Sequence, residues 1–364
     1  MKNQKVEKFI DGYLKNFKSA KVDKWNYEDG CVLKGAQMMY QVTGEEKYKT
    51  FILEYLKKYI NEDGTINYYN AEDYNIDNVS TGTVFFFAYD ETGEEKYRNA
   101  IEHIMDQLRK QPRTQEGNFW HKNIYPNQVW LDGLYMGQVF YMMYESRFGG
   151  KEHYSDIIKQ FKLVRRNMFN DEKQLYYHAY DESRQMYWAD KTTGLSQNFW
   201  LRSMGWYLLA LIECLDAIDQ SVYEYYDDLK SLFKEALKGV LKYQDEKTHL
   251  FYQVIDRADV KENYLETSGS AMIAYAMLKA CRMKAVLAEK YEDNAISIFE
   301  ALADNKLEEV DGELKLGGIC SVAGLGGKEK RDGSLKYYFS EPIVYDDHKG
   351  VGPFIMAYSE INRL

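Results

Sequence analysis

Proline is scarce in this chain of 364 residues: there are four, and none lies between residues 127 and 341. Proline interrupts helices because it lacks a backbone N–H and its ring clashes with the preceding turn. So long a stretch without proline favours a mostly helical protein. The length allows either two ordinary domains or one large domain built from repeats.

Long apolar runs are also missing. The N-terminal segment contains none of the length of a signal peptide, and no later stretch reaches the roughly 18 uncharged apolar residues of a membrane-spanning helix. We therefore expect a cytoplasmic protein that does not enter a membrane. The four cysteines lie far apart, without metal or redox spacing, and we expect them to be reduced, buried thiols.

The chain has fewer positive than negative residues, with 47 Lys and Arg and 57 Asp and Glu, which gives a net charge of −10. No basic patch offsets this balance, which argues against a nucleic-acid partner. Histidines and carboxylates are too scattered for a metal-ligand pattern, so we predict neither a metal nor a cofactor. The glycine-rich stretch 317–327 lacks the Gly-Lys-Ser/Thr ending of a phosphate loop, which favours a flexible loop. A monomer and a homodimer fit equally well.

The chain contains an internal repeat. Thr43-Gly-Glu-Glu-Lys-Tyr48 recurs identically at residues 92–97, and a looser copy spans residues 149–154. Repeats of this length indicate stacked units, commonly helical hairpins. An apolar stretch ending in tyrosine precedes each copy, and counting back from the tyrosine reaches an acidic residue each time. These residues are Glu28, Asp77 and Asp132.

Three further apolar stretches begin in the same way. They place Arg202, Glu266 and either Asp346 or Asp347 at the corresponding position, the last being the weakest alignment. Amphipathic segments, such as residues 229–241, alternate with the apolar ones. The simplest closed arrangement is an all-α (α/α)6 barrel, with six inner and six outer helices in a single domain over residues 1–364. Every inner helix then starts at the same end, so the polar residues at these starts converge on one mouth.

Asp132 and Asp77 are the candidate acids. A lone aspartate at such a position is more often a simple helix cap, but two that converge on one pocket favour chemistry. Their mutual repulsion and desolvation raise the pKa of each carboxyl group, whereas a helix N-terminus lowers it. The pattern does not decide which effect is larger.

Arg202 and His178 are the candidate binders of a sugar acid. Arg202 lies in an apolar stretch between Trp200 and Trp206, and a buried arginine needs an anion, either a carboxylate of the protein or a ligand. A structural ion pair is an equally good interpretation of Arg202. His178 follows two tyrosines between helical segments, which predicts a loop near the mouth.

Several segments together resemble glycoside hydrolase families 88 and 105, with the closer similarity to family 105, the unsaturated rhamnogalacturonyl hydrolases. The similarity covers nearly the whole chain. The segments are WNYEDG (25–30), YNIDNVSTG (74–82), VWLDGLYMG (129–137), YYHAYDES (176–183), ADKTTGLSQNFWLRSMGW (189–206), NYLETSGSAM (263–272) and SEPIVYDDHKGVGPF (340–354). The resemblance implies the same six-hairpin barrel. FWLRSMGW departs from the WARGNGW common in the family, so the pocket wall near Arg202 differs.

The resemblance also implies an activity: removal of a 4,5-unsaturated uronic acid from small acidic oligosaccharides left by pectin-type lyases. By motif, Asp132 is the general acid and Asp77 a second catalytic carboxylate. The residues that match the family's sugar-binding positions are Tyr27, Trp130, His178, Arg202 and Trp206. Asp132 would protonate C4 of the C4=C5 vinyl ether, water would add at C5, and the resulting hemiketal would open and release the neighbouring sugar.

Other readings remain. The barrel would also suit an unsaturated glucuronyl hydrolase, an ordinary inverting glycosidase or a sugar epimerase, although epimerases of this shape usually need a histidine pair and none is aligned with the repeat. A non-catalytic sugar-binding scaffold is the alternative from another class, because a preference for capping residues would also place acids at successive helix starts.

Overall fold

The computed structural model describes residues 3–364. In this part of the chain there are fourteen α-helices: α1 Gln4–Lys15, α2 Tyr27–Thr43, α3 Glu46–Leu56, α4 Asp77–Ser80, α5 Thr83–Thr92, α6 Glu95–Lys110, α7 Val139–Arg147, α8 Tyr154–Met168, α9 Leu201–Ala217, α10 Tyr223–Leu241, α11 Thr267–Arg282, α12 Ala288–Asn305, α13 Leu335–Ser340 and α14 His348–Ile361. A 3-10 turn covers Ala71–Asp73, and a π-helical turn, Leu134–Gln138, leads directly into α7.

The inner ring consists of α2, α4 with α5, the π turn with α7, α9, α11 and α14. Each packs against the next, and α14 packs against α2, which closes the ring. The inner helices are apolar on nearly all sides: every residue of α9 from Leu201 to Leu215 is buried. The outer helices α3, α6, α8, α10, α12 and α1 bury one face, as in α10 with Leu229, Phe233 and Leu237. The predicted (α/α)6 barrel is confirmed.

The repeated segment forms the turn between an inner and an outer helix. Gly44 and Gly93 end α2 and α5 with φ of 68° and 69°, a left-handed conformation that glycine adopts at little cost. Their N–H groups donate to the carbonyls of Tyr40 and Tyr89 at 2.8 Å. The next helix begins two residues later. The identical sequence therefore encodes the same hairpin turn twice.

Four short two-stranded antiparallel sheets lie either at the end of the barrel where the inner helices begin or on its outside. They were not predicted from the sequence. Their strands are β1 Gln128–Trp130 with β4 Ala179–Asp181, β2 Phe169–Asn170 with β3 Leu175–Tyr176, β5 Leu307–Val310 with β6 Glu313–Leu316, and β7 Ile319–Cys320 with β8 Ile343–Val344. The β1–β4 pair places Trp130 opposite Ala179. Asp132 comes two residues after Trp130, and His178 comes directly before Ala179, so both lie beside this pair of strands. None of the helices within residues 3–364 has the length and apolarity to cross a membrane.

Ring closure depends on a close approach of α14 to α2. A Cβ on Gly352 would lie 2.4 Å from the Cys31 carbonyl oxygen of α2, a backbone atom that cannot turn aside. Gly352→Ala should therefore destabilise the protein by about 1–3 kcal/mol, since overpacking forces the two helices apart. Urea unfolding gives this free energy.

Gly12→Ala is the control, because a Cβ on Gly12 of α1 meets nothing within 4 Å. It should be neutral or stabilising by up to about 1 kcal/mol, as alanine favours a helix interior over glycine. Equal effects of the two substitutions would contradict the closure at Gly352.

Candidate active site

A cavity of about 210 Å³ lies at the end of the barrel where the inner helices begin. It lies over the starts of α2, α4 and the π turn. Its wall includes four of the residues predicted from sequence: Tyr27, Asp77, Trp130 and Asp132. The segment between β7 and α13, residues 321–334, crosses this end and is called the strap below. The strap adds Val322, Ala323, Gly324 and Arg331 to the wall.

Asp132 lies in the turn before the π helix and does not cap it, because the position before the helix is Gly133 and no side chain bonds there. Its side chain is 14 % exposed, and Oδ2 has no hydrogen-bond partner within residues 3–364. Burial raises the pKa of Asp132 to about 7; its own backbone N–H opposes the rise, and the negative charge of Asp77 adds to it. Asp132 is thus a carboxyl group that holds a proton near neutral pH.

Asp77, at the first position of α4, is held as an anion. Its Oδ2 lies 2.6 Å from Lys122 Nζ, and its Oδ1 lies 3.1 Å from His121 Nε2. Burial alone would raise the pKa of Asp77, but Lys122 and His121 outweigh it and hold the pKa well below its usual range. The two carboxyl groups of one cavity therefore have pKa values driven apart, a pattern that marks acid and base assignments.

His178 lies behind Asp132 and is fully buried, between β3 and β4. Nδ1 is 2.7 Å from the Tyr338 hydroxyl, and Nε2, which has no other partner, is 3.5 Å from Asp132 Oδ2. Burial, together with the smaller effect of His121, Arg331 and Arg202 nearby, lowers the pKa of His178 to about 3, so the imidazole is neutral. It contacts Asp132 and does not line the cavity.

Trp130 forms the aromatic wall. Its ring lies between His121 and Tyr125, with centroids 4.8 Å and 5.3 Å away and nearly parallel planes. Both faces of the ring are covered by these neighbours and the residue is 6 % exposed, so Trp130 stiffens the wall, and its contact with a sugar stays a prediction. Trp206 lies deeper: it is 2 % exposed, stacks on Tyr135 at 4.8 Å and meets the edge of Tyr27, so it supports the wall from behind.

Arg202 does not reach the cavity wall. It is 1 % exposed, and its guanidinium donates to the Ser268 hydroxyl and to the carbonyls of Cys320 and Ser321. It forms no ion pair with a carboxylate within residues 3–364, so the expected anionic partner is replaced by carbonyl oxygens. These bonds attach the base of the strap to the start of α9. Its role in substrate binding stays a prediction.

The aligned helix starts divide into two groups. Glu266 and Asp347 are helix caps: the Glu266 carboxylate accepts from Gly269 N at 2.7 Å and the Asp347 carboxylate from Lys349 N at 2.9 Å. Glu28 lines the cavity beside Asp77 and Asp132, and its Oε1 bonds Lys21 Nζ at 2.5 Å. The capping interpretation is thus right for Glu266 and Asp347 and wrong for Asp132.

Two cations of the cavity wall, Lys122 and Arg331, were missed by the sequence analysis. Both lie in loops outside the repeat, and a repeat identifies only equivalent helix positions. Lys122 directly follows His121, and both side chains contact Asp77. Arg331 follows a glycine-rich stretch that was set aside when it did not match a phosphate loop. Among residues 3–364, no three His, Cys, Asp or Glu side chains cluster as metal ligands do.

A second cavity, of about 270 Å³, lies at the opposite end of the barrel. Its charged groups largely pair with one another: Lys279 bonds Glu213 at 2.6 Å, and Arg282 holds both oxygens of Glu360 at 2.7 and 3.0 Å. It is lined by the C-terminal halves of the inner helices, whose dipoles favour cations. The mouth at the helix N-termini is therefore the better candidate for an acidic ligand.

Comparison with known proteins identifies the family of this chain. The family model described as Glycosyl Hydrolase Family 88 matches residues 1–364. A solved glycoside hydrolase of family 105 from C. acetobutylicum is 42% identical, with a TM-score of 0.93 over 99% of this chain and 98% of that one. Protein Atu3128 of Agrobacterium fabrum is 38% identical over 62% of this chain and 97% of its own length. The unsaturated rhamnogalacturonyl hydrolase YesR of Bacillus subtilis is 26% identical over 77% of each chain.

The barrel, the acidic cavity and these matches define the class of protein as a glycoside hydrolase. Within that class, the chain belongs to the group of glycoside hydrolase families 88 and 105.

The raised pKa of Asp132 has a cost in stability. Below about pH 4 both folded and unfolded chains carry the proton; as pH rises toward 7, only the unfolded chain releases it, so the folded state loses relative stability. Asp132→Asn removes this penalty and should raise the free energy of unfolding at pH 8 by up to about 4 kcal/mol, with little change at pH 4. Urea unfolding at the two pH values measures it.

Asp77→Asn is a control whose expected effect on the free energy of unfolding has the opposite sign. The lowered pKa of Asp77 stabilises the fold above its unfolded pKa, and this stabilisation is lost as pH falls through its folded pKa. Asp77→Asn should therefore destabilise the protein at pH 8. If both variants were destabilised at pH 8, the assignment of a buried, protonated Asp132 would be wrong.

Proposed function

We propose that this glycoside hydrolase removes a 4,5-unsaturated uronic acid from the non-reducing end of lyase-generated oligosaccharides, with rhamnogalacturonan fragments as the favoured source. The observation that carries the proposal is the pair of carboxyl groups in one cavity, Asp132 with a pKa of about 7 and Asp77 held as an anion. Such a pair can supply one proton and one fixed negative charge at the same place.

The first step is proton transfer from Asp132 to C4 of the substrate. The C4=C5 bond and the ring oxygen form a vinyl ether, so the electron pair of the double bond takes the proton at C4. Positive charge then develops at C5 and the ring oxygen. Two anions face this charge, the newly formed Asp132 carboxylate and the Asp77 carboxylate, and both favour it electrostatically. Neutral His178 has Nε2 3.5 Å from Asp132 Oδ2 and orients the acid.

Water then adds at C5, and its proton passes to the Asp132 carboxylate, which restores the acid for the next cycle. The product is a hemiketal at C5. Its C5 hydroxyl becomes a ketone as the bond to the ring oxygen breaks, and the hemiacetal left at C1 expels the neighbouring sugar. One water is consumed and one glycosidic linkage is lost, without a group of the protein acting at the glycosidic oxygen.

The lowered pKa of Asp77 favours hydration of the double bond over the mechanism of an ordinary glycosidase. Ordinary enzymes need a second carboxylate that acts as base or nucleophile at the anomeric carbon. The ion pair with Lys122 at 2.6 Å lowers the pKa of Asp77 and hence its basicity. A weakly basic carboxylate suits electrostatic stabilisation better than proton abstraction.

Two observations support a rhamnose-containing fragment. The relative YesR is named for unsaturated rhamnogalacturonyl hydrolysis. The rim of the cavity is also partly apolar, because Val322, at 40 % exposure, lines it. A 6-deoxy sugar presents a methyl group that such a rim can bury.

Hydration destroys the conjugated ultraviolet absorbance of the substrate, which gives a direct assay. We expect the largest kcat/KM with an unsaturated disaccharide from rhamnogalacturonan, and smaller values with glucuronan- and glycosaminoglycan-derived disaccharides. A preference for one of the latter would reject the rhamnogalacturonan assignment alone. No loss of absorbance with any of them would reject the proposed activity.

Asp132→Asn should lower kcat by about 100- to 10,000-fold, the usual contribution of a general acid, while sugar binding remains. Asp347→Asn is a matched control: it removes one carboxylate from an equivalent helix start outside the cavity and keeps a good capping residue. Substantial activity in Asp132→Asn, or an equal loss in the control, would exclude Asp132 as the acid.

A further inference from the structure

The cavity wall contains four cations: Lys21, Lys24, Lys122 and Arg331. Two of them are already neutralised by the protein, Lys21 by Glu28 at 2.5 Å and Lys122 by Asp77 at 2.6 Å. Lys24 is exposed on a loop and has no fixed partner to hold its position. Arg331 differs from all three, because its side chain is held in place while part of its hydrogen-bonding capacity is unused.

The two terminal nitrogens of the Arg331 guanidinium have no hydrogen-bond acceptor among the described residues. Nε donates to the Gly326 carbonyl at 3.3 Å and lies 3.5 Å from the carboxylate of Glu329, an exposed side chain. Neither terminal nitrogen, NH1 or NH2, has an acceptor among residues 3–364. The side chain is only 17 % exposed. Both terminal nitrogens of a largely covered guanidinium therefore keep unused donors, in a residue that lines the cavity.

The strap holds this arginine in position. Arg331 and Gly326 exchange backbone hydrogen bonds of 2.8 and 3.2 Å, and the Tyr187 hydroxyl donates to the Arg331 carbonyl at 3.3 Å. The guanidinium lies across Gly324, where a Cβ would come within 2.9 Å of NH1. The Gly324 N–H in turn donates to the Tyr337 hydroxyl at 2.9 Å. A side chain fixed in this way loses little entropy when it binds a ligand.

Arg202, the arginine indicated by the sequence, contrasts with Arg331. Its NH1 and NH2 are occupied by the Ser268 hydroxyl and the carbonyls of Cys320 and Ser321, and it lies outside the cavity wall. A carboxylate that reached Arg202 would have to displace these bonds. At Arg331 no bond to NH1 or NH2 needs to break.

We propose that Arg331 binds the carboxylate of the unsaturated uronate through NH1 and NH2, and thereby makes the enzyme selective for the free acid. The inference rests on the proposed function, since that substrate class supplies the carboxylate. A guanidinium presents two parallel donors that match the two oxygens of a carboxylate, a geometry that an ammonium does not offer. Arg331 is a binding residue here, and Asp132 remains the proton donor.

The test compares the unsaturated disaccharide with its methyl ester, for the wild type and for Arg331→Gln and Arg331→Lys. Esterification changes the intrinsic reactivity of the double bond, but the same change applies to every protein, so the acid-to-ester ratio of kcat/KM isolates recognition. Lys328→Gln is the matched control, because it removes one charge from the same strap at an exposed position outside the cavity wall.

For the acid, Arg331→Gln should lower kcat/KM by about 10- to 100-fold, the usual effect of losing hydrogen bonds to a charged group, chiefly through KM. For the ester, kcat/KM should stay within about two-fold of the wild type, which also shows that the strap is intact. Arg331→Lys should recover only part of the loss. The acid-to-ester ratio should be unchanged in Lys328→Gln.

Wild-type selectivity retained in Arg331→Gln would overturn the role of Arg331 and leave the proposed function standing. An equal loss for acid and ester would overturn it too, because it would show a structural role. A wild type that neither hydrates nor binds the uronides, in calorimetric titration, would instead overturn the proposed function, and this inference with it.

Discussion

The packing of α14 against α2 is the contact on which the other features depend. It joins the last inner helix to the first, so six helices that start from distant parts of the chain form one ring. Closure puts all six starts at the same end, where residues that are far apart in sequence become neighbours. The approach is close because Gly352 leaves room for the backbone of Cys31. Asp77 and Asp132 lie on neighbouring hairpins that pack directly against each other, and closure adds the strap, which leads through α13 into α14, to the same cavity.

The side chains of the two acids are largely buried at this mouth, and their pKa values shift in opposite directions. Asp132 has no cation of its own, so burial raises its pKa to about 7. Asp77 is equally buried but is paired with Lys122 and His121, which keep it ionised. The same desolvation thus yields a proton donor and a permanent anion, and the difference lies in two adjacent residues, His121 and Lys122, that pair with Asp77. The cost is a loss of fold stability from Asp132 that develops as pH rises from about 4 and is complete above about 7.

The sequence predicts the barrel well because the repeat reports directly on hairpin turns and on helix starts. It also predicts four residues of the cavity wall, Asp77 and Asp132 from the repeat and Tyr27 and Trp130 from the resemblance to the family. It does not predict how each acid is paired: Lys122 and Arg331 lie in loops whose path depends on tertiary packing. For the same reason Arg202 and His178, recognised from their neighbours in sequence, lie behind the wall in the structure, where Arg202 bonds carbonyls and His178 supports Asp132.

The account depends most on the proton affinity of Asp132, which ¹³C NMR of aspartate-labelled protein measures without substrate. The Asp132 carboxyl signal, identified by its absence from Asp132→Asn, should titrate with a midpoint of about 7. In Asp77→Asn the midpoint should fall, because the neighbouring negative charge is gone and Lys122 is left without its partner. A midpoint near 4 in the wild type, the ordinary value for an exposed aspartate, would contradict the assignment of Asp132 as the proton donor.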